Sequence, residues 1–188
     1  MARRGPGDAD AAPVSTGEAA ALAAILLVSA VLQLLRLDLQ GIGNPYYAAT
    51  VRSMLEGWHT FFFASFDPAG FVAVDKPPLG FWIQTLSARV LGYGGTALLL
   101  PQALATIGSV GLVWRLVRRP FGPAAGLFSA LGLALTPIAV AAGRTNTIDP
   151  LLVLVLLAAT GALFRAVERG DPRWLLLSAV LIGRGVNS

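Results

Sequence analysis

The stretch ALLLPQALATIGSVGLVWRLVRRPFGPAAGLFSALGLALTPIAVAA, residues 97–142, decides the fold class. Its only charged side chains are Arg115, Arg118 and Arg119. They separate two apolar runs, 97–117 and 121–142, each of about 20 residues, which at ~1.5 Å per residue matches the ~30 Å hydrocarbon layer of a bilayer. A tight arginine cluster between two such runs is the pattern of a short connection held at the membrane surface. The stretch therefore reads as two membrane-crossing helices joined by a turn.

The rest of the chain agrees. Of 188 residues, 55% are hydrophobic and 13% charged, and mean hydropathy is +0.70; soluble domains carry about 25% charged residues. That excludes a disordered chain, a domain that coats nucleic acid and an ordinary soluble enzyme. The 21 glycines and 12 prolines fit helices in a bilayer, where neighbours re-satisfy the backbone. The net charge of +4 sits mostly as arginine at the ends of apolar runs, so it points to lipid anchoring and no nucleic-acid partner. With no cysteine and one histidine, a disulfide framework, a cysteine nucleophile and a histidine zinc cluster are all excluded. Carboxylates leave room for a hard divalent cation, and no cofactor is otherwise indicated.

Further spans are expected at about 18–36, 150–164 and 174–188, with residues 1–17 as a disordered cytoplasmic tail. The expected architecture is an all-α polytopic membrane protein whose membrane domain covers 18–188. Residues 37–96 are different in kind: they mix eight charged or histidine side chains with dense aromatics. Asn44-Pro45 can cap and start a helix over 45–56, and a second helix should follow Pro77-Pro78 and run to Leu91. Both read as short helices at the membrane interface. With the N-terminus cytoplasmic, eight basic residues fall inside (Arg3, Arg4, Arg115, Arg118, Arg119, Arg165, Arg169, Arg173) and five outside (Arg36, Arg52, Lys76, Arg89, Arg144). This orientation makes the protein a multi-pass cell-membrane protein. It puts loop 37–96 and the polar interruption 143–150 on one extracytoplasmic side, where they can share a cavity.

Three polar constellations are candidates for chemistry. In Asp75-Lys76-Pro77-Pro78 two prolines fix the backbone beside the chain's only lysine. A lysine there suits a phosphate, and the carboxylate can orient it or take a proton; a snorkelling surface lysine is the plainer reading. In Arg144-Thr-Asn146-Thr-Ile-Asp149-Pro150 a guanidinium, an amide and a carboxylate gather at the mouth of two spans. Asp149 near a helix start can hold a polar substrate or a cation, or else the motif merely caps a turn with an Arg–Asp pair. In Asn44-Pro45-Tyr46-Tyr47 the rings can stack on a sugar or anchor at the interface. Arg52 and Glu56 are spaced to pair on one helix face. Asp67-Pro68 reads first as an Asx-type turn, and His59 stands alone among aromatics.

Taken in order, the first span, YYAATVRSML (46–55), VDKPPLGFWIQTLSARVLG (74–92), LVRRPFGPAAGL (116–127) and RTNTIDPLLVL (144–154) make the chain resemble integral-membrane glycosyltransferases of the protein O-mannosyltransferase and aminoarabinose-transferase type, most closely their actinobacterial members. The resemblance runs from about 18 to 183. It implies the N-terminal portion of a C-type membrane glycosyltransferase fold. It also implies a sugar donor carried on polyprenyl phosphate and transfer on the extracytoplasmic face with inversion. The acceptor implied is a glycan, lipid or protein, and the enzyme a hexosyl or pentosyl transferase of unspecified metal dependence. Lys76 matches the family's KPP lysine, which handles the donor phosphate, with Arg52 and Arg144 as further phosphate ligands. Asp149 matches an aspartate at the mouth of the fourth span. Relatives carry an Asp-Glu pair before the tyrosine helix; here the stretch reads Gly43-Asn44-Pro45, which has no general base. Asp75, then Asp149, then Asp67 are the expected replacements. Asn44, Tyr46, Tyr47, Asn146 and His59 are expected against the substrate.

Relatives have more spans, so the chain reads as an N-terminal fragment. A transporter or flippase part for an amphipathic substrate, and an inactive truncated product, are the rival readings.

Overall fold

In a computed structural model, residues 13–186 are described. They form nine α-helices: α1 (Thr16–Leu34), α2 (Pro45–Met54), α3 (Trp58–Phe62), α4 (Pro78–Leu91), α5 (Gly95–Phe121), α6 (Pro123–Leu135), α7 (Pro137–Gly143), α8 (Asp149–Arg169) and α9 (Pro172–Val186). A 3-10 turn, Leu37–Gln40, follows α1. The only extended pairing among the described residues is the bridge Ser65–Ala73. Of the expected tail 1–17, residues 1–12 lie outside the described residues, as do 187–188 of the expected last span.

The chain is an all-helical polytopic membrane protein. α1, α5 and α8 are each long and apolar enough to cross a bilayer, and α6 with α7 is an apolar pair of matching length bent by 61° at its break. The expected boundaries shift for local reasons. α1 starts at Thr16 because the Ser15 hydroxyl accepts the Glu18 N–H at 3.1 Å, a capped first turn. α5 has 27 residues, about 40 Å at the helical rise, so it overshoots the hydrocarbon layer and carries Arg118 and Arg119 out at its end. The expected continuous span 121–142 is two helices instead. Thr136 is extended (ψ 116°) because the following Pro137 disfavours the helical region, and Pro137 then occupies a first-turn position of α7. α8 begins inside the polar motif at Asp149 and runs to Arg169, five residues past the expected 164, and stops at Gly170 in the left-handed region (φ 62°).

The relative directions follow from individual contacts. Glu18 pairs with Arg118, and a Cβ on Gly111 would touch Leu26 at 3.8 Å, so α1 runs antiparallel to α5. Gly108 faces Leu154 and Gly161 faces Leu116, so α8 runs parallel to α5. Gly126 of α6 abuts Trp114 and Gly143 of α7 abuts Thr106, so this pair returns alongside α5. The bundle therefore has two unlike ends. One gathers the starts of α1 and α6 with the arginines that close α5 and α8. The other gathers the end of α1, the starts of α5 and α8 and the whole of loop 37–94.

That loop is folded, not slack. Ala48, Val51 and Met54 of α2, Phe81 and Ala88 of α4, Leu98 of α5 and Ile148 form one buried cluster. Phe81 is fully enclosed, and burying such a side chain is worth about 1.5–3 kcal/mol. The core side of α4 carries Gly80, Phe81, Gln84, Thr85 and Ala88, and Gly80 lies so close to Ile148 that any Cβ there would clash. The outer rim is aromatic. Trp58 and Phe71 are 72% and 88% exposed, the disposition of side chains that sit at a lipid interface.

Candidate functional site

The two polar motifs expected to share a side are joined directly. Asn146 is fully buried. Its Oδ1 accepts the Asn44 N–H at 2.6 Å and its Nδ2 donates to the Asn44 carbonyl at 3.0 Å. Its own carbonyl accepts from Gln84 Nε2 of α4 at 2.9 Å. One residue thus ties the start of α2, the middle of α4 and the start of α8 together across about a hundred residues of chain. Gly43 makes the clamp feasible: its φ is +70°, and a Cβ would stand 2.5 Å from Asn146 Oδ1. Asn44 also caps α2, its Oδ1 accepting the Tyr46 N–H at 2.9 Å. The Gly43-Asn44 pair therefore serves the backbone here.

Arg144 is equally committed. Its guanidinium donates to the carbonyls of Leu32 (2.7 Å), Gln33 (3.3 Å) and Leu35 (3.0 Å). These are carbonyls at the end of α1, left without helical partners, where a cation also meets the negative end of the helix dipole. Arg52 lies 5.2 Å over the Tyr93 ring. No ion pair joins it to Glu56 among the described residues. The Tyr93 hydroxyl in turn donates to the Ala48 carbonyl at 2.9 Å.

Asp67 is held in its own turn. Its carboxylate accepts the N–H groups of Val72 (2.6 Å) and Phe71 (3.1 Å). These two donors, Val72 first, hold its carboxyl below the usual carboxylate range. His59 packs on the same turn, close against Gly70, with its ring 4.9 Å from Phe63. Tyr46 stacks on Phe66 at 4.8 Å and Tyr47 meets Phe81 edge-on at 5.4 Å. Tyr46 keeps about a third of its surface exposed.

Asp75, Lys76 and Asp149 are exposed, and none has a hydrogen-bonded or ionic partner among the described residues. The chain from Lys76 to Gly80 spans at most about 14 Å, and Gly80 touches Ile148, the residue before Asp149. Asp75 and Lys76 therefore lead into the helix start that packs on the residue before Asp149. Asp149 sits in the first turn of α8, whose field favours the anion, and lines a 110 Å³ cavity with Thr106, Ser109 and Pro150. A 510 Å³ apolar groove runs between α4, α5 and α8, walled by Ile83, Leu86, Val90, Leu104 and Leu154. Leu86, Val90 and Leu104 are exposed, so the groove is open along its length. No group of three or more His, Asp or Glu side chains converges among the described residues as a cation site would need.

Sequence reasoning missed the buried glutamines. Gln33, Gln84 and Gln102 are all essentially enclosed, and Gln84 is a member of the clamp. The signal was present: isolated amides within apolar helices are expensive and seldom idle.

Comparison with known proteins supplies the remaining context. Residues 75–188 match the family described as dolichyl-phosphate-mannose-protein mannosyltransferase. Two proteins of Bacillus subtilis (strain 168) are similar along most of the chain: "Putative mannosyltransferase YycA", 49% identical over 168 residues, and "Putative mannosyltransferase YkcB", 48% identical over 164. They cover 89% and 87% of this chain, which spans 24% and 23% of theirs. The polyprenol-phosphate-mannose–protein mannosyltransferase of Mycobacterium tuberculosis is 30% identical over 119 residues, 63% of this chain and 22% of that protein. The chain thus spans about a quarter of the length of the curated relatives it matches. No solved structure matches it. The chain belongs to the dolichyl-phosphate-mannose-protein mannosyltransferase family.

Proposed function

We propose that the chain supplies the N-terminal part of a membrane glycosyltransferase of C-type fold, which moves a sugar, mannose by family, from a polyprenyl-phosphate carrier to an acceptor hydroxyl on the extracytoplasmic face. The observation that carries this reading is an exposed Lys76 with no partner among the described residues, followed by Pro77 and Pro78 at the start of α4, the helix that walls an open apolar groove. A donor of this kind has one phosphate and a long apolar tail. The groove offers a path for the tail and Lys76 a cation for the phosphate.

In the reaction the bond between the anomeric carbon and the phosphate oxygen breaks and the acceptor oxygen takes its place. Polyprenyl phosphate leaves with an added negative charge, which a fixed lysine stabilises where it forms. The acceptor proton passes to a carboxylate, Asp75 or Asp149. Asp67 is a poor candidate for that role because two backbone N–H groups already occupy its carboxylate. Tyr46, with its outer face open, is placed to stack on a sugar. Asn44, Asn146, Arg144 and Arg52 hold the frame. His59 supports the Asp67 turn.

The test is sugar transfer from labelled polyprenyl-phosphate mannose by membranes containing the 188-residue chain, and by membranes containing the longest reading frame that includes it. Transfer that disappears in Lys76→Ala and in either Asp149→Asn or Asp75→Asn supports the reading. No transfer by either form, with the protein present in the membrane, moves the assignment to transport of an amphipathic substrate, a role the 61° break between α6 and α7 would also suit.

A further inference from the structure

The opposite end of the bundle carries a second cavity that sugar transfer does not use. It measures 210 Å³ and lies between α5, α8 and α9. Arg115, Arg119 and Arg165 line its rim, Trp174 closes one side, and Leu116 and Leu177 wall its interior. Three helices bring these side chains together. Arg165 lies in the field of Arg115, Arg119 and Arg169, and its guanidinium sits 4.9 Å over the Trp174 ring, with that of Arg169 at 5.8 Å. Among the described residues the acidic groups at this end are engaged elsewhere or are fewer than the arginines. Glu168 pairs with Arg119 at 2.9 Å. The Asp171 carboxylate accepts the Arg173 N–H at 2.9 Å. Glu18, also at this end, is taken up by Arg118. Among the described residues Arg115, Arg165 and Arg169 form no ion pair, and Glu168 is held by Arg119.

Arginines that merely anchor helix ends reach outward separately. Here they converge on one concave site whose lower wall is leucine. Like charges gathered so closely repel unless an anion joins them. The ends of α5 and α8 that carry them emerge at the level of lipid headgroups. We propose that this cavity binds the phosphate headgroup of an anionic bilayer lipid, with the arginines on the phosphate, Trp174 against the headgroup and the leucines along the first methylenes of an acyl chain. A free phosphate fits less well, since it would leave the leucine wall facing water. The proposal does not depend on the sugar-transfer reading.

The test is quenching of Trp174 fluorescence in the full chain, reconstituted with brominated phosphatidylglycerol or brominated phosphatidylcholine at equal mole fraction, with Trp174→Phe to isolate the signal. Quenching should favour phosphatidylglycerol. Arg115→Gln and Arg165→Gln should each weaken that preference about fivefold, the scale of one basic side chain at an anionic surface. Arg165→Lys, which keeps the charge, should retain most of it and guards against a folding artefact. Equal quenching by the two lipids, or Gln variants that behave as wild type, would overturn the proposal. So would displacement by millimolar inorganic phosphate, which would mark a simple ion site.

Discussion

Segments 75–78 and 144–149 make an instructive pair. Both lie at the same end of the bundle, both lead into a helix, and both bring a cation and a carboxylate into a few residues. In 144–148 the functional-looking groups are engaged: Arg144 by three carbonyls of α1's end, Asn146 by both backbone groups of Asn44. In 75–76 neither side chain has a partner among the described residues, although the prolines that follow fix the backbone. Polar groups at a membrane surface are therefore divided here between those that hold the fold and those that the fold holds out. Asp149, at the seam, belongs to the second kind.

The largest effect should come from Lys76. If it contacts the charge that develops on the leaving phosphate, Lys76→Ala should lower transfer by about 10²- to 10³-fold, the range for removing one fixed charge-stabilising group. The amount of protein in the membrane and its thermal unfolding should not change, because Lys76 is exposed and has no partner among the described residues. A lower melting temperature with kcat intact would reverse the roles of the two segments.

The converse holds for Asn146. Asn146→Ala leaves the Asn44 N–H and carbonyl without their partners, at about 1–3 kcal/mol. Gly43→Ala should cost a similar ~1–3 kcal/mol, since the new methyl meets the Asn146 amide and the backbone is left-handed there. Both should lower the melting temperature and, through the displaced start of α2, the rate. The two are in contact, so the double variant should be less destabilised than the sum of the singles.

The same division explains what was legible in the sequence. Apolar runs bounded by arginine revealed the membrane helices because their length and composition are dictated by the bilayer alone. The turn at Asp67 was legible because its geometry is local. The break at Thr136-Pro137 was visible as a proline, but whether a proline bends a span depends on what packs around it. The pairing of Asn44 with Asn146 was out of reach, because about a hundred residues separate two groups whose types also suit a substrate. The bonds of Arg144 were out of reach for the same reason: a guanidinium that caps a helix and one that binds phosphate use the same donors, and the three carbonyls at the end of α1 are over a hundred residues away. The missing acidic pair at Gly43-Asn44 was legible as a departure, while its structural use was not.

Arg144 sharpens the comparison at smaller scale. Arg144→Gln should loosen the end of α1 and cost about 1–2 kcal/mol, the worth of charge-assisted hydrogen bonds at a helix terminus. Arg144→Lys should recover part of this, since a lysine keeps the charge but cannot fork to three carbonyls. Thermal unfolding and the KM for the polyprenyl donor, measured on the same preparations, separate the alternatives. A raised KM with unchanged melting would place Arg144 on the donor phosphate, beside Lys76.

The smallest effect concerns Asp67, where the comparison acquires a pH dependence. Val72 and Phe71 donate to the ionised carboxylate, so its pKa in the folded chain lies below the ordinary value of 3.8. A group with a depressed folded pKa contributes stability above its unfolded pKa and loses it as pH falls through the folded one. The turn at 67–72 should therefore be firm at neutral pH and loosen only as the medium is taken below about 3.8, the unfolded value. Limited proteolysis of the 64–74 segment with an acid-active protease can follow this. Wild type should become more susceptible across that window. Asp67→Asn, which keeps an oxygen acceptor but no charge, should be moderately susceptible throughout and show no step. A step at neutral pH would instead indicate a raised pKa, as expected of a general base and not of a turn-forming carboxylate, and would return Asp67 to the group of side chains that the fold holds out for chemistry.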